Sequence, residues 1–237
     1  MRSMDAAAIN QFKEAAASSA AALLHDGMIV GLASGTTATL AVAAIGRRVQ
    51  EGLKIVGIPT SQKTAGQARA LGIPLSTLED HISIDVTIDG ADEVEAGTLN
   101  LIKGGGGNLL REKIVAVASS RMIVVVDETK VVSQLGSRSA IPVEVVPFGW
   151  KTTAKRLEKT GVYPTLRTGS DGQIFRTDGG HYILDCATGC IQSPQALQAE
   201  LNNIVGVVEH GLFIQIANQA LVGGPDGVRT LNRAIAL

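Results

Sequence analysis

The 237-residue chain carries 21 Lys and Arg against 22 Asp and Glu, and 45% of its residues are apolar. So even a balance excludes nucleic acid as the main partner, because binding a phosphate backbone needs a basic stripe and none occurs. Aromatics are scarce while Ala, Val, Ile and Gly abound, which suits buried parallel strands covered by helices. No apolar run approaches the roughly 20 residues of a membrane span.

Residues 5–25 read as an alanine-rich helix. Asp5, Lys13 and Glu14 fall where a secretory leader needs its apolar stretch, so a cytoplasmic protein is expected. GMIVGL (27–32) is a buried strand, followed by the turn ASGTT and a helix over 37–49. A strand over 53–58 and a helix over 60–72 come next, then strands over 83–88, 99–102 and 122–126, with a helix over 109–118 between the last two. Strands alternating with helices predict an α/β fold, a doubly wound and mostly parallel Rossmann-like sheet. Such sheets bind ligands beyond the carboxyl ends of their strands.

After residue 139 the texture changes. A strand from Pro142, a helix over 151–161, short antiparallel strands at YPTLR, QIFRT and HYILDC, and a helix opened by Ser193-Pro194 predict a small α+β (ferredoxin-like) domain over 140–209. GVVEHGLFI (206–214) is read as one strand returning to the first domain, 1–139 with 210–237, where QALVGGPDGVRTL rejoins the main sheet. Cys186 and Cys190 read as free thiols. A zinc site there would need further ligands, and His181 is the only neighbour of the right chemistry.

A parallel sheet gathers the loops after its strands at one edge, and four such loops carry chemistry. Ser34, Gly35, Thr36 and Thr37 offer hydroxyls and N–H groups at a helix start, which suits a phosphate. A plain turn with Ser/Thr caps fits them as well. The loop is neither a P-loop nor a dinucleotide fingerprint. Asp89-Gly90-Ala91-Asp92 places two carboxylates around a glycine turn, an Asx turn with a cap being the simpler reading. Lys103 precedes Gly104, Gly105, Gly106 and Gly107, whose bare backbone can approach a ligand; Asn108 is expected to cap the next helix and Glu112 to sit in its first turn. Lys130 follows the strand ending near Val126. Together these residues suit proton transfer beside the carbonyl of a phosphorylated substrate, with a carboxylate as base and a lysine steadying the enediolate.

The segments VGLASGTTA, DVTIDGADEVE, LIKGGGGNLLREKIVA, VVVDETKVVSQLG, PVEVVPFG and GGPDGVRTL together resemble the A-class ribose-5-phosphate isomerases, in that family's order and over nearly the whole chain. The resemblance implies interconversion of D-ribose 5-phosphate and D-ribulose 5-phosphate without metal or organic cofactor, in a dimer or tetramer. By the same likeness Glu112 is the base and Lys103 stabilises the enediolate. Asp89 and Asp92 handle hydroxyl protons, including ring opening. Ser34 to Thr37, Lys130 and the glycines hold the substrate, and Lys13 matches a lysine near the phosphate pocket. Two departures show: Ala33 stands where the family usually has glycine, and SGTT replaces its common TGST. The alternatives on this scaffold are a sugar-phosphate deaminase and a non-catalytic sugar-phosphate sensor.

Overall fold

The computed structural model describes residues 5–234. Helix α1 (Ala6–Ala22) starts at Asp5, whose carboxylate accepts from Ala7 N, and buries Ala16, Ala17, Ala20 and Ala21. That small-residue stripe at helical spacing lets the helix lie close on its neighbours. Next come β1 (Ile29–Leu32), α2 (Thr36–Gln50), β2 (Val56–Pro59), α3 (Gln62–Ala70) and β3 (Val86–Asp89). After them lie β4 (Glu93–Glu95), β5 (Leu101–Ile102), α4 (Leu109–Val117), β6 (Met122–Asp127), a 3-10 turn (Glu128–Lys130) and β7 (Val131–Val132).

The largest sheet joins β1, β2, β3 and β6 to β13 (Gln219–Gly224) and β14 (Gly227–Asn232), in the order β14-β13-β6-β3-β1-β2. Its neighbours pair in parallel except for the edge hairpin β13–β14. All six residues of β6 are buried, as expected of a strand covered on both faces.

Residues 99–102 depart from the expected parallel strand. Leu99 adopts φ 54° at the turn that folds β5 back on β4, so this hairpin leaves the main sheet and β3 pairs directly with β6. A second sheet results, in which β5 lies between β4 and β12 (Leu212–Phe213) and β4 pairs with β7, standing beyond the carboxyl end of β3.

Its base is held by Glu93, which is fully buried and accepts from Gly136 N (2.7 Å), Arg138 N (2.6 Å) and Ser139 N (2.6 Å). Glutamine would point its own N–H2 at one of those donors. Glu93→Gln is therefore expected to cost roughly 2–3 kcal/mol in urea unfolding, with near-normal turnover per folded molecule.

The third sheet has the order β11-β8-β10-β9. It is built from β8 (Ile141–Val145), α5 (Trp150–Glu158), β9 (Tyr163–Leu166), β10 (Tyr182–Ala187), α6 (Pro194–Asn202) and β11 (Val207–His210). Its strand pairs are antiparallel, and the βαββαβ succession is the ferredoxin-like pattern. Cys186 is buried and Cys190 exposed, both unbridged.

Two expectations fail in this region. QIFRT forms no strand, only an isolated bridge between Thr168 and Ile174. Its side chains go elsewhere: Thr177 Oγ1 donates to Glu144 (2.8 Å), and the Phe175 ring lies against Gly107, leaving no room for a Cβ there. Residues 206–214 are not one strand either. The run breaks at Gly211, separating β11 from β12 (Leu212–Phe213). Gly211 N donates to Pro142 O (2.7 Å), and its carbonyl accepts from Lys103 N (2.8 Å). A Cβ at Gly211 would collide with the Lys103 carbonyl oxygen, so only glycine permits this approach.

Candidate active site

Lys103 leaves β5 with its main chain gripped by Gly211 and its ammonium in a polar knot. Nζ lies 2.8 Å from Asp89 Oδ2 and 3.2 Å from Glu112 Oε2, and donates to Gly90 O at 2.8 Å. Lys103 and Glu112 are each 3% exposed and Asp89 is 0% exposed. The contact to Asp89 is close but not aligned as a hydrogen bond, since Oδ2 has no aligned donor, while Oδ1 accepts from Gly90 N at 2.7 Å. Lys103 Nζ also sits 5.4 Å from the centre of the buried Phe213 ring, whose other neighbour is Lys113 at 4.9 Å.

Burial works against the charge on Lys103, but the Asp89 and Glu112 carboxylates outweigh it and raise its pKa above that of an ordinary lysine. Burial also pushes Asp89 up to about 8, against the pull of Lys103 and with help from Glu112. One cation faces two buried carboxylates, so Asp89 takes up its proton at a higher pH than an ordinary carboxyl while Glu112 stays paired with Lys103.

The unfolded chain releases that proton near 3.8. The Asp89 contribution to stability is therefore full below about 3.8 and is lost as pH rises toward 8. The Lys103 shift acts only in the alkaline range beyond this window. Urea unfolding of wild type and Asp89→Asn at two values inside the window is expected to show wild type losing ground as pH rises, by at most about 1.4 kcal/mol per pH unit. Parallel curves for the two proteins would refute the assignment.

The knot opens on a hollow of about 250 Å3. One wall is Ser34, Gly35, Thr36, Thr37 and Ala38 at the start of α2. Gly35 occupies the N-cap and supplies no side-chain cap, so N–H groups of the first turn remain available to an anion. Ser34 Oγ is held 2.8 Å from Thr60 Oγ1. Gly90, Ala91 and Asp92, Lys103 with Gly104, Gly105 and Gly106, and Lys130 and Glu112 complete the lining.

The loops after β1, β3 and β6 come from the main sheet, whereas the glycine loop comes from the β4–β5 hairpin. Of the residues singled out in the sequence, Asp89, Gly107, Asn108 and Lys13 do not line the hollow; Asp89 lies behind Lys103. Asn108 stands at the N-cap of α4 without making a side-chain cap bond, its Nδ2 lying 3.4 Å from Gly106 O. Gly105 N donates to Asp92 Oδ2 (2.8 Å) and Gly107 N to Gly104 O (3.0 Å), so part of the run's N–H capacity serves the loop itself. Lys13 reaches Asp127 at 3.8 Å and is not part of the lining.

Sequence reasoning missed Ala38, which a reading of the whole first turn of α2 would have included, and Phe213, for which no local signal exists. Among the described residues no group of three or more His, Cys, Asp or Glu is placed to hold a metal, and no helix is long and apolar enough to cross a membrane.

A buried ammonium bracketed by carboxylates, beneath a small hollow rimmed with hydroxyls and helix-start N–H groups, is the equipment of an acid–base enzyme acting on a small anion. Residues 56–227 match the family described as ribose 5-phosphate isomerase A (phosphoriboisomerase A). Over 229 residues the chain is 51% identical to ribose-5-phosphate isomerase A of Synechococcus sp. (strain JA-3-3Ab), covering 96% of this chain and all of the relative. It is 54% identical to that of Gloeobacter violaceus, covering 94% and 97%.

Among solved structures, ribose 5-phosphate isomerase A from Methanocaldococcus jannaschii superposes with a TM-score of 0.90 at 40% identity, over 94% of this chain and 99% of that one. A D-ribose-5-phosphate isomerase in complex with phospho-erythronic acid gives 0.92 at 36%, over 97% and 100%. The chain belongs to the ribose-5-phosphate isomerase A family.

Proposed function

We propose that this chain interconverts D-ribose 5-phosphate and D-ribulose 5-phosphate through an enediolate, with Glu112 as the base. The observation that carries the reading is the pairing of Glu112 and Lys103, 3.2 Å apart at the floor of a hollow whose rim suits a phosphate. At about 250 Å3 it falls below the roughly 300–1,000 Å3 of drug-sized sites, as a small substrate requires. The phospho-erythronic acid held by a relative is itself a short phosphorylated acid, the shape and charge of an enediolate mimic.

In the direction of ketose formation, Asp92 takes part in ring opening, placing the C1 carbonyl near Lys103. Glu112 takes the proton from C2, the C–H pair forms the C1–C2 double bond, and charge collects on O1 beside the ammonium. Glu112 returns the proton to C1 while the O2 proton passes to O1 by way of Asp92, leaving the carbonyl at C2. Asp89 acts through Lys103, holding the cation in place. Ser34 to Thr37 and Lys130 bind the phosphate away from the reacting carbons, so that binding energy fixes the sugar's register.

The test offers the purified chain ribose 5-phosphate and, separately, an amino-sugar phosphate. Ketose from the first and no ammonia from the second is the expected result; ammonia release would mean a deaminase. A homo-oligomer of two or four copies rests on the resemblance, and light scattering in solution tests it.

A further inference from the structure

We infer that Arg167 is a positioning residue for the proton-transfer site, acting through the glycine loop and Asp92; the inference rests on the isomerase reading above. A run of four glycines has an unusually large choice of conformations to lose and no side chains of its own to hold it, so its restraint must come from outside. Arg167, just past the end of β9, supplies it. Its Nη1 donates to Gly104 O (3.0 Å) and Gly105 O (3.1 Å), the two carbonyls next after Lys103.

The rest of the guanidinium is engaged by Asp185 on β10. Nε lies 2.9 Å from Oδ2, and Nη2 pairs with Oδ1. The Arg167 side chain is mostly buried and lies 5.8 Å from the centre of the Phe175 ring, which closes over Gly107. On the far side of the loop, Gly105 N donates to Asp92 Oδ2. Asp185, Arg167, the Gly104–Gly105 peptide and Asp92 thus form one continuous set of bonds from the ferredoxin-like sheet to the hollow. Only a planar fork of donors can grip a carboxylate and two carbonyls at once, so lysine is not an equivalent.

The phosphate side of the hollow, Ser34 to Thr37 and Lys130, takes no part in this chain of contacts. Arg167→Met keeps the aliphatic stem and removes every donor. It is expected to lower kcat on ribose 5-phosphate roughly ten- to a hundredfold, the scale of a misplacement of about 1 Å at a reacting centre. Amide hydrogen exchange over residues 103–108 should rise with it, while affinity for inorganic phosphate stays within about twofold. Arg167→Lys should recover only part of the rate.

A kcat within about twofold of wild type, unchanged loop exchange, or phosphate affinity falling in step with kcat would each overturn the inference, the last because it marks general damage to the fold. Glu112→Gln separates the two claims, since it should leave loop exchange at the wild-type level. If that variant retains turnover the base assignment fails, yet exchange in Arg167→Met still reports whether the clamp exists.

Discussion

Glu112→Gln is expected to lower kcat by roughly two to four orders of magnitude, the usual weight of a general base, with kcat/KM falling by the same factor. The substitution keeps size and shape, and Lys103 keeps Asp89 as its other partner at 2.8 Å, so the fold should survive. Glu112 lies in the first turn of α4, where losing a negative charge costs about 0.3–1 kcal/mol besides its pairing with Lys103, which Asp89 takes over. Turnover, urea unfolding and binding of phospho-erythronic acid on the same preparation separate these effects. A near-normal rate removes Glu112 from the chemistry. Lost ligand binding would assign it to substrate holding instead.

Lys103→Met is expected to damage both stability and rate. It would leave Asp89 and Glu112 buried without the cation that lies within 3.2 Å of both. Removing one partner of a buried ionic group costs roughly 3–5 kcal/mol, because the remaining charge cannot be hydrated. The rate should also fall by at least about 10²–10³, the effect of deleting a single donor to a developing oxyanion. Adding Glu112→Gln should return much of the stability by removing the stranded carboxylate, and none of the rate. Urea unfolding of wild type, both single variants and the double variant gives the coupling energy directly. A double variant no more stable than Lys103→Met would show that the knot contributes little to folding.

Much of the main sheet was legible in the sequence because β1, β3 and β6 are short aliphatic runs bounded by glycine or polar turns, a pattern that burial on both faces imposes. Leu99–Ile102 has the same apolar look but belongs to another sheet. Periodicity reports burial without naming the partner strand, and the turn that redirects it combines Gly97 at φ 90° with Leu99 at φ 54°, a left-handed position that its own residue type does not announce. QIFRT alternates like a strand, yet Phe175 and Thr177 serve contacts made with distant elements. Gly211 divides an apparently continuous strand because it must lie against Lys103.

Lys103 and Glu112 stood out in the sequence through the glycine run and helix start between them, and the loop at Ser34–Thr37 through its hydroxyls. The order of Asp89 and Asp92 in one turn did not say which carboxylate faces the hollow. Arg167 looked like any arginine at the end of a strand.

By itself the sequence determined the alternating α/β succession, the anion-suited loops and the pairing of a lysine with a helix-borne glutamate. These follow from neighbours along the chain, whose spacing sets periodicity, turn chemistry and caps. Tertiary structure alone decided that Asp89 sits behind Lys103 and Asp92 in front, and that β5 stands outside the parallel sheet. It also decided that the third sheet reaches over, through Arg167, to hold the glycine loop. Those outcomes depend on distances between segments far apart in sequence, which only the packing of one element on another can set.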